Sequence, residues 1–250
     1  MNKLKEQAER PIDKKLDNQL YYDKFASWYE RERGAGYHRF IDELELSLIR
    51  EACRGAEVLE LGCGTGLLLS PVASIARRAV GVDLSPGMLE KAKERGLDVH
   101  LADVTSLPFE DESFDVVYSF KVLAHVPELS KALSEAARVL RPGGRAFLEF
   151  YNRHSVRYWA KRLGGAGAIA EDAKESDVYV KWQGRRELLA TFPSSLQVEG
   201  MHGVRVFTPA AFVHRIPVIS AVLQAAERAA LSHRLFSRWG GFLVVEARKR

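Results

Sequence analysis

Residues 57–66, Glu-Val-Leu-Glu-Leu-Gly-Cys-Gly-Thr-Gly, place three glycines at alternate positions directly after an apolar run. Gly62, Gly64 and Gly66 let the backbone take positive φ and approach a ligand closely, because no Cβ stands in the way. Asp83 follows seventeen residues after Gly66, at the end of a second apolar run, Ala79-Val80-Gly81-Val82. A strand, a glycine loop, a helix and a strand ending in an acid describe a nucleotide cradle, with the acid placed to accept from a ribose diol. The order Gly62-x-Gly64-x-Gly66 is shorter than a dinucleotide fingerprint, and Glu60 stands beside it. A carboxylate there repels a pyrophosphate and suits a cationic ligand. S-adenosylmethionine, with its sulfonium and ammonium, is such a ligand.

The elements that would hold this loop alternate. Val58–Leu61, Ala79–Asp83, Val99–Ala102, Phe114–Tyr118 and Arg145–Phe150 have the short apolar pattern of buried strands. Helical stretches separate them, over Leu67–Ala76, from Pro86 to Arg95, and over Ser130–Leu140. Ser85-Pro86 puts a capping hydroxyl and a preset φ at one helix start, and Gly96 marks its stop. Strands alternating with helices predict an α/β, Rossmann-like doubly wound sheet, mostly parallel and covered on both faces. Leu196–Phe207 and Phe242–Arg248 are expected to complete a seven-stranded sheet with the last strand antiparallel, joined by one or two helices over Pro209–Leu231. The domain reading is an N-terminal helical lid over 1–55, a cofactor-binding core over 56–150, an insertion over 151–195 and a completing segment over 196–250.

The motifs occur together in register: Val58 to Gly66, Gly81 to Leu89, Ala102-Asp103-Val104, Leu107-Pro108-Phe109, Phe114-Asp115-Val116-Val117 and Arg138 to Gly144. In this order and spacing the chain resembles a class I S-adenosylmethionine-dependent methyltransferase of the group that includes quinone-biosynthesis enzymes, over about residues 20–150. The resemblance implies roles. Glu60 and the loop Gly62, Cys63, Gly64, Thr65 and Gly66 would hold the methionine portion. Asp83 would bind the ribose, Leu84 and Met88 would pack on adenine, and Asp103, flanked by Ala102 and Val104, would meet the adenine amine. Ser119, Phe120 and Lys121 would line the reactive end; Lys121 departs from the pattern, since a cation beside a sulfonium is unfavourable, and is expected to point toward acceptor or solvent. Tyr22, Tyr29 and Tyr37 would fold over the site, with Arg33 toward the methionine carboxylate. The product would be S-adenosylhomocysteine.

The acceptor side is less constrained. Ser119-Phe120-Lys121-Val122 replaces the Asn/Asp-Pro-Pro-Tyr/Phe motif of enzymes that methylate base amines or protein glutamine, which argues against those acceptors. His125 and His154 are the candidate bases, and Tyr37, Tyr151, Arg153 and Trp182 the candidate acceptor contacts. The expected function is methyl transfer to an O, N or C nucleophile of a small molecule. RNA, or a lipid or quinone at a membrane surface, are alternatives suggested by the basic residues Arg153, Arg157, Lys161 and Arg162. A non-catalytic cofactor-binding module is the alternative of another class.

Composition sets the outer bounds. Hydrophobic residues make up 46% and charged residues 28%, ordinary for a globular chain. Net charge is +4 and the pI near 9.0. Cys53 and Cys63 give neither a disulfide framework nor metal-ligand spacing. Residues 1–10 are polar, and no apolar run approaches the roughly 20 residues that span a bilayer, so a cytoplasmic protein is expected.

Overall fold

The computed structural model describes residues 36–164, 168–170, 173–174, 179–208, 211–231, 233 and 235–250. Tyr22, Tyr29 and Arg33 lie outside the described residues. The first element, helix α1 (Gly36–Cys53), buries Tyr37, Phe40, Ile41, Leu44 and Ile49 along one stripe. Their spacing of three and four residues is that of one helical face.

Strands β1 (Glu57–Leu61), β2 (Arg78–Asp83), β3 (Asp98–Leu101), β4 (Phe114–Ser119) and β5 (Leu140–Asn152) run parallel. Helices α2 (Leu69–Ala73), α3 (Pro86–Glu94) and α4 (Leu129–Val139) connect them. Helix α3 starts as its sequence dictates: Ser85 Oγ accepts from Met88 N at 3.2 Å and Pro86 opens the first turn. Helix α2 is shorter than the expected Leu67–Ala76, and β5 is longer than Arg145–Phe150. Pairing of β5 with β4 starts at Leu140 and shifts register before Arg145, so Arg141–Gly144 forms an excursion within the strand rather than a break before it.

Beyond β5 come helix α5 (Val156–Gly164), a two-stranded hairpin of β6 (Ala168–Ala170) and β7 (Ala173–Lys174), strand β8 (Trp182–Gln183) and helix α6 (Arg185–Leu189). Strand β9 (Leu196–Val204), helix α7 (Pro217–Ala230) and strand β10 (Phe242–Lys249) follow. The main sheet runs in the order β3-β2-β1-β4-β5-β10-β9, with β10 antiparallel to both neighbours. The two-residue β8 pairs in parallel with the end of β5, an eighth strand that sequence reading omits.

Alternation divides the sheet into two faces. Leu59, Leu61, Val117, Leu148 and Phe150 pack with Leu129, Ala132, Leu133 and Ala136 of α4. Val58, Val116, Tyr118, Phe147 and Tyr151 pack with α1. Burial on both faces is why β1 and β4 are almost continuously apolar. The same alternation puts Glu60 and Glu149 on the face of α1, acids where the pattern otherwise demands apolar residues.

Candidate functional site

The strand order reverses direction at β1, which has β2 on one side and β4 on the other. Ligands of doubly wound sheets bind outside the carboxyl ends of the strands at such a switch point. The glycine loop leaves β1 there. Gly62, Gly64 and Gly66 have φ of 73°, 53° and 81°. The amides of Gly62 and Cys63 both donate to Val82 O, at 2.7 and 2.9 Å. Asp83 Oδ2 accepts from Gly64 N at 2.8 Å and Oδ1 from Ser85 N at 2.9 Å. Arg95 Nε donates to Thr65 O at 2.9 Å. The end of β2 thus clamps the loop that leaves β1.

The three glycines do different work. A Cβ on Gly62 would stand 2.3 Å from a Val122 methyl, and one on Gly66 2.3 Å from a Leu97 methyl. A Cβ on Gly64 would meet nothing within 4 Å. Gly64 therefore faces open space, as a cradle for a closely approaching ligand requires. Thr65 Oγ1 in the same loop is buried without a hydrogen-bond partner. The carboxylate of Asp83, at the end of β2, is an acceptor of the type that a ribose diol needs. The residues present fit a nucleoside ligand with a diol.

The other residues of the expected cofactor set vary in exposure. Leu84 and Ala102 are half-buried, while Met88 and Val104 are buried. Asp103 Oδ1 accepts from Thr105 N and Oγ1, both at 2.8 Å, closing its own turn. Ser119 Oγ donates to Leu61 O at 2.9 Å, tying β4 to β1, and Phe120 is buried. Cys63 is buried, and burial pushes its thiol well above the ordinary range.

Glu60 is 2% exposed, and Tyr118 donates its hydroxyl to it at 2.9 Å. Burial pushes the Glu60 carboxyl well above the usual range, against the pull of Tyr118 and Lys121. Lys121 does not turn to solvent. Its backbone adopts φ of 63°, its amide donates to Glu149 Oε1 at 3.0 Å, and its ammonium pairs with Asp42 at 2.8 Å and with Glu45. The physical reason lies in α1: Asp42 and Glu45 are buried acids on its inner face, and an ammonium is drawn to them rather than toward a sulfonium. The Glu149 carboxyl is raised by burial and then by Glu45, with Lys121 opposing. Sequence reasoning missed Asp42, Glu45 and Glu149; the available signal was acids at apolar positions of a helix stripe and of a strand.

On the acceptor side, His125 Nδ1 lies 2.9 Å from Tyr179 O and Nε2 3.3 Å from Tyr151 Oη. A carbonyl only accepts, so Nδ1 carries the proton there and Nε2 is left to accept from the phenol. Tyr151 meets Trp182 and Phe242, each with ring centroids 5.2 Å apart. Tyr37 belongs to the same cluster, and its hydroxyl is buried without a partner. Arg153 and His154 sit elsewhere, on an exposed turn against Gly184, with Arg153 paired to Glu187 at 3.2 Å. The structure joins His125, Tyr151, Trp182 and Tyr37 and leaves Arg153 and His154 outside that group. Among the described residues, no cluster of His, Cys, Asp and Glu could hold a metal ion.

Comparison with known proteins identifies the family and the fold. Residues 59–148 match a family described as a methyltransferase domain. The chain is 32% identical over 166 residues to a ubiquinone biosynthesis O-methyltransferase of Xanthomonas oryzae pv. oryzae, covering 61% of this chain and 69% of that protein. The chain belongs to the S-adenosylmethionine-dependent methyltransferases. It is also 34% identical over 113 residues to a probable S-adenosylmethionine-dependent methyltransferase of Mycolicibacterium smegmatis, covering 44% of each. It thus spans less than half of that relative's length. The fold of a SAM-dependent methyltransferase from Thermotoga maritima superposes with a TM-score of 0.67 at 22% identity, covering 93% of this chain and 99% of that one. The [4+2]-cyclase SpnF superposes with a TM-score of 0.64 at 21% identity, covering 93% and 94%. One methyltransferase-like fold therefore carries more than one chemistry, and the reaction has to be argued from the site.

Proposed function

We propose that the chain binds S-adenosylmethionine across the switch point and transfers its methyl group to an O, N or C nucleophile of a small molecule. The carrying observation is the clamp of Asp83 on Gly64 beside the open space at Gly64. In this reading Asp83 also accepts from the ribose, and the loop of Gly62, Cys63, Gly64, Thr65 and Gly66 borders the methionine portion. Leu84, Met88, Ala102, Asp103 and Val104 surround the adenine, and Ser119 and Phe120 bound the reactive end. Glu60 stands behind the loop as a buried acid held by the Tyr118 hydroxyl. When bound, S-adenosylmethionine supplies an activated methyl group and its own leaving group. The protein then has to orient the acceptor and exclude water.

His125 and Tyr151 are the residues we assign to any proton the acceptor releases. Tyr151 carries the phenol nearest His125, and the imidazole, held in one tautomer by Tyr179 O, accepts from it. Replacing His125 by Ala should lower kcat at least tenfold for a protonated acceptor, measured as S-adenosylhomocysteine release. Unchanged kcat would remove His125 from the reaction.

The named relative acts in ubiquinone biosynthesis, which supports a small acceptor. A membrane-surface acceptor is a second reading, favoured by Ile216, Val218, Ile219 and Val222, which are 43–75% exposed beside Arg215. Among the described residues no helix is long and apolar enough to cross a membrane. We place the protein in the cytoplasm; sedimentation with anionic vesicles tests the second reading. For the first, calorimetry should show S-adenosylhomocysteine binding, with thermal stabilisation that NAD does not reproduce. Asp83→Ala should weaken that binding at least tenfold. Wild-type affinity in the variant would remove Asp83 from the site.

A further inference from the structure

Arg157, on α5, is a buried cation without a carboxylate partner among the described residues. It is 8% exposed, and both Nε and Nη1 lack hydrogen-bond partners. Its guanidinium lies 4.5 Å from the ring centroid of Tyr151, 5.0 Å from that of Trp182 and 4.6 Å from that of Phe242. Three aromatic walls stabilise a guanidinium through its faces. The Tyr151 hydroxyl is a hydrogen-bond partner of the guanidinium, but the ring faces offer nothing to Nε and Nη1. Leaving such donors unpaired in a dry site is costly. The surroundings deepen the imbalance. Arg205 acts on the same region and stacks on Tyr37, 5.4 Å from its centroid. Glu227, the acid beside it, is already used: it accepts from the amides of Val206, Phe207 and Thr208 and from the Thr208 hydroxyl. Two further buried donors in this part of the molecule, Tyr37 Oη and Gln183 Nε2, are also without partners.

We propose that Arg157 recognises the acceptor, and that the acceptor is an aromatic small molecule carrying a carboxylate. The carboxylate would accept from Arg157, a charge-assisted bond that offsets the guanidinium's burial. The flat frame of the acceptor would pack among Tyr151 and Trp182. Tyr151 contacts both Arg157 and His125, so one aromatic residue would join anion recognition to the residue assigned the proton. This inference rests on the methyltransferase reading for the identity of the acceptor, and on the geometry of Arg157 for its charge.

The test is calorimetric, on the full chain saturated with S-adenosylhomocysteine, using 4-hydroxybenzoate and the neutral isostere 4-hydroxybenzamide as probes. The acid should bind at least tenfold more tightly than the amide. Arg157→Met keeps the bulk between the rings and removes the charge. It should lower the acid's affinity at least tenfold while leaving the amide and S-adenosylhomocysteine unaffected. Equal affinity of acid and amide in the wild type, or no measurable binding of the acid, would overturn the proposal whatever the variant does. So would an Arg157→Met protein that binds the acid normally. The initial saturation step separates the two readings: a wild-type chain that does not bind S-adenosylhomocysteine contradicts the donor, not the anion site.

Discussion

The glycines of one loop make the clearest case at the scale of single residues. Gly62→Ala places a methyl 2.3 Å from Val122 at φ of 73°. Steric conflict and left-handed strain add, and we expect a loss of about 2–4 kcal/mol by urea denaturation. Gly64→Ala meets open space and carries only the backbone strain, about 1–2 kcal/mol. Its methyl should instead intrude on the donor and weaken S-adenosylhomocysteine binding at least tenfold. A Gly64→Ala protein with normal affinity would place the ligand elsewhere. Cys63 makes a related point. Both it and Cys53 are buried, with the Cys53 thiol pushed up to about 12 by burial and by Glu60. Native protein should react with less than one equivalent of a thiol reagent such as DTNB within minutes, and with two after denaturation.

Among the secondary-structure elements, charge ties strand ends together far from the site. Asp115 on β4 accepts from Glu57 N at 2.8 Å and pairs with Arg141 at 2.8 Å. Burial works to raise its carboxyl, but the Glu57 amide, Arg141 and Arg77 together hold it below the usual range. Such a group contributes stability that is present above the ordinary carboxylate pKa and is lost as pH falls through its lowered value. The pair is more than a third exposed, so solvent screening limits it to about 1 kcal/mol or less. Arg141→Met should therefore lower the urea midpoint slightly at pH 7. The difference should shrink as pH falls through the lowered folded value of Asp115 and vanish once that carboxyl is protonated in both states. A deficit that persists in acid would mean that Arg141 acts by packing. These pairs were legible only in part. The breaker Arg141-Pro142-Gly143-Gly144 was visible in the sequence, but it forms an excursion inside β5, because pairing with Phe114 resumes the strand before it.

At the level of the whole molecule, a polar seam ties α1 to the ends of β4 and β5 in the sheet. Lys121 is the cation among Asp42, Glu45 and Glu149 in this seam, and its side chain is 15% exposed. Lys121→Met would strand buried acids and should cost about 3–5 kcal/mol at pH 8. Glu149 is already raised in the wild type by burial and Glu45. A carboxyl with a raised folded pKa penalises folding once pH exceeds its unfolded value, and the penalty is relieved as pH falls. The deficit of the variant should therefore shrink between pH 8 and pH 5 in denaturation experiments. A deficit independent of pH would show that the lysine contributes bulk rather than charge.

Local sequence by itself determined the strand–loop–helix rhythm, the glycine loop, Asp83 at the end of β2 and the cap of α3. Each follows from short-range steric and hydrogen-bonding rules acting within a few residues, so neighbouring residue types suffice to write it. Tertiary structure alone decided the partners of charges distant along the chain. Lys121 meets Asp42 and Glu45 across 79 and 76 positions. Arg157, visible in the sequence only as one of several basic residues, becomes a buried guanidinium once β10 brings Phe242 beside Tyr151 and Trp182. Electrostatic pairing depends on distance in space and on burial, and neither quantity is written in the spacing of residues along the chain.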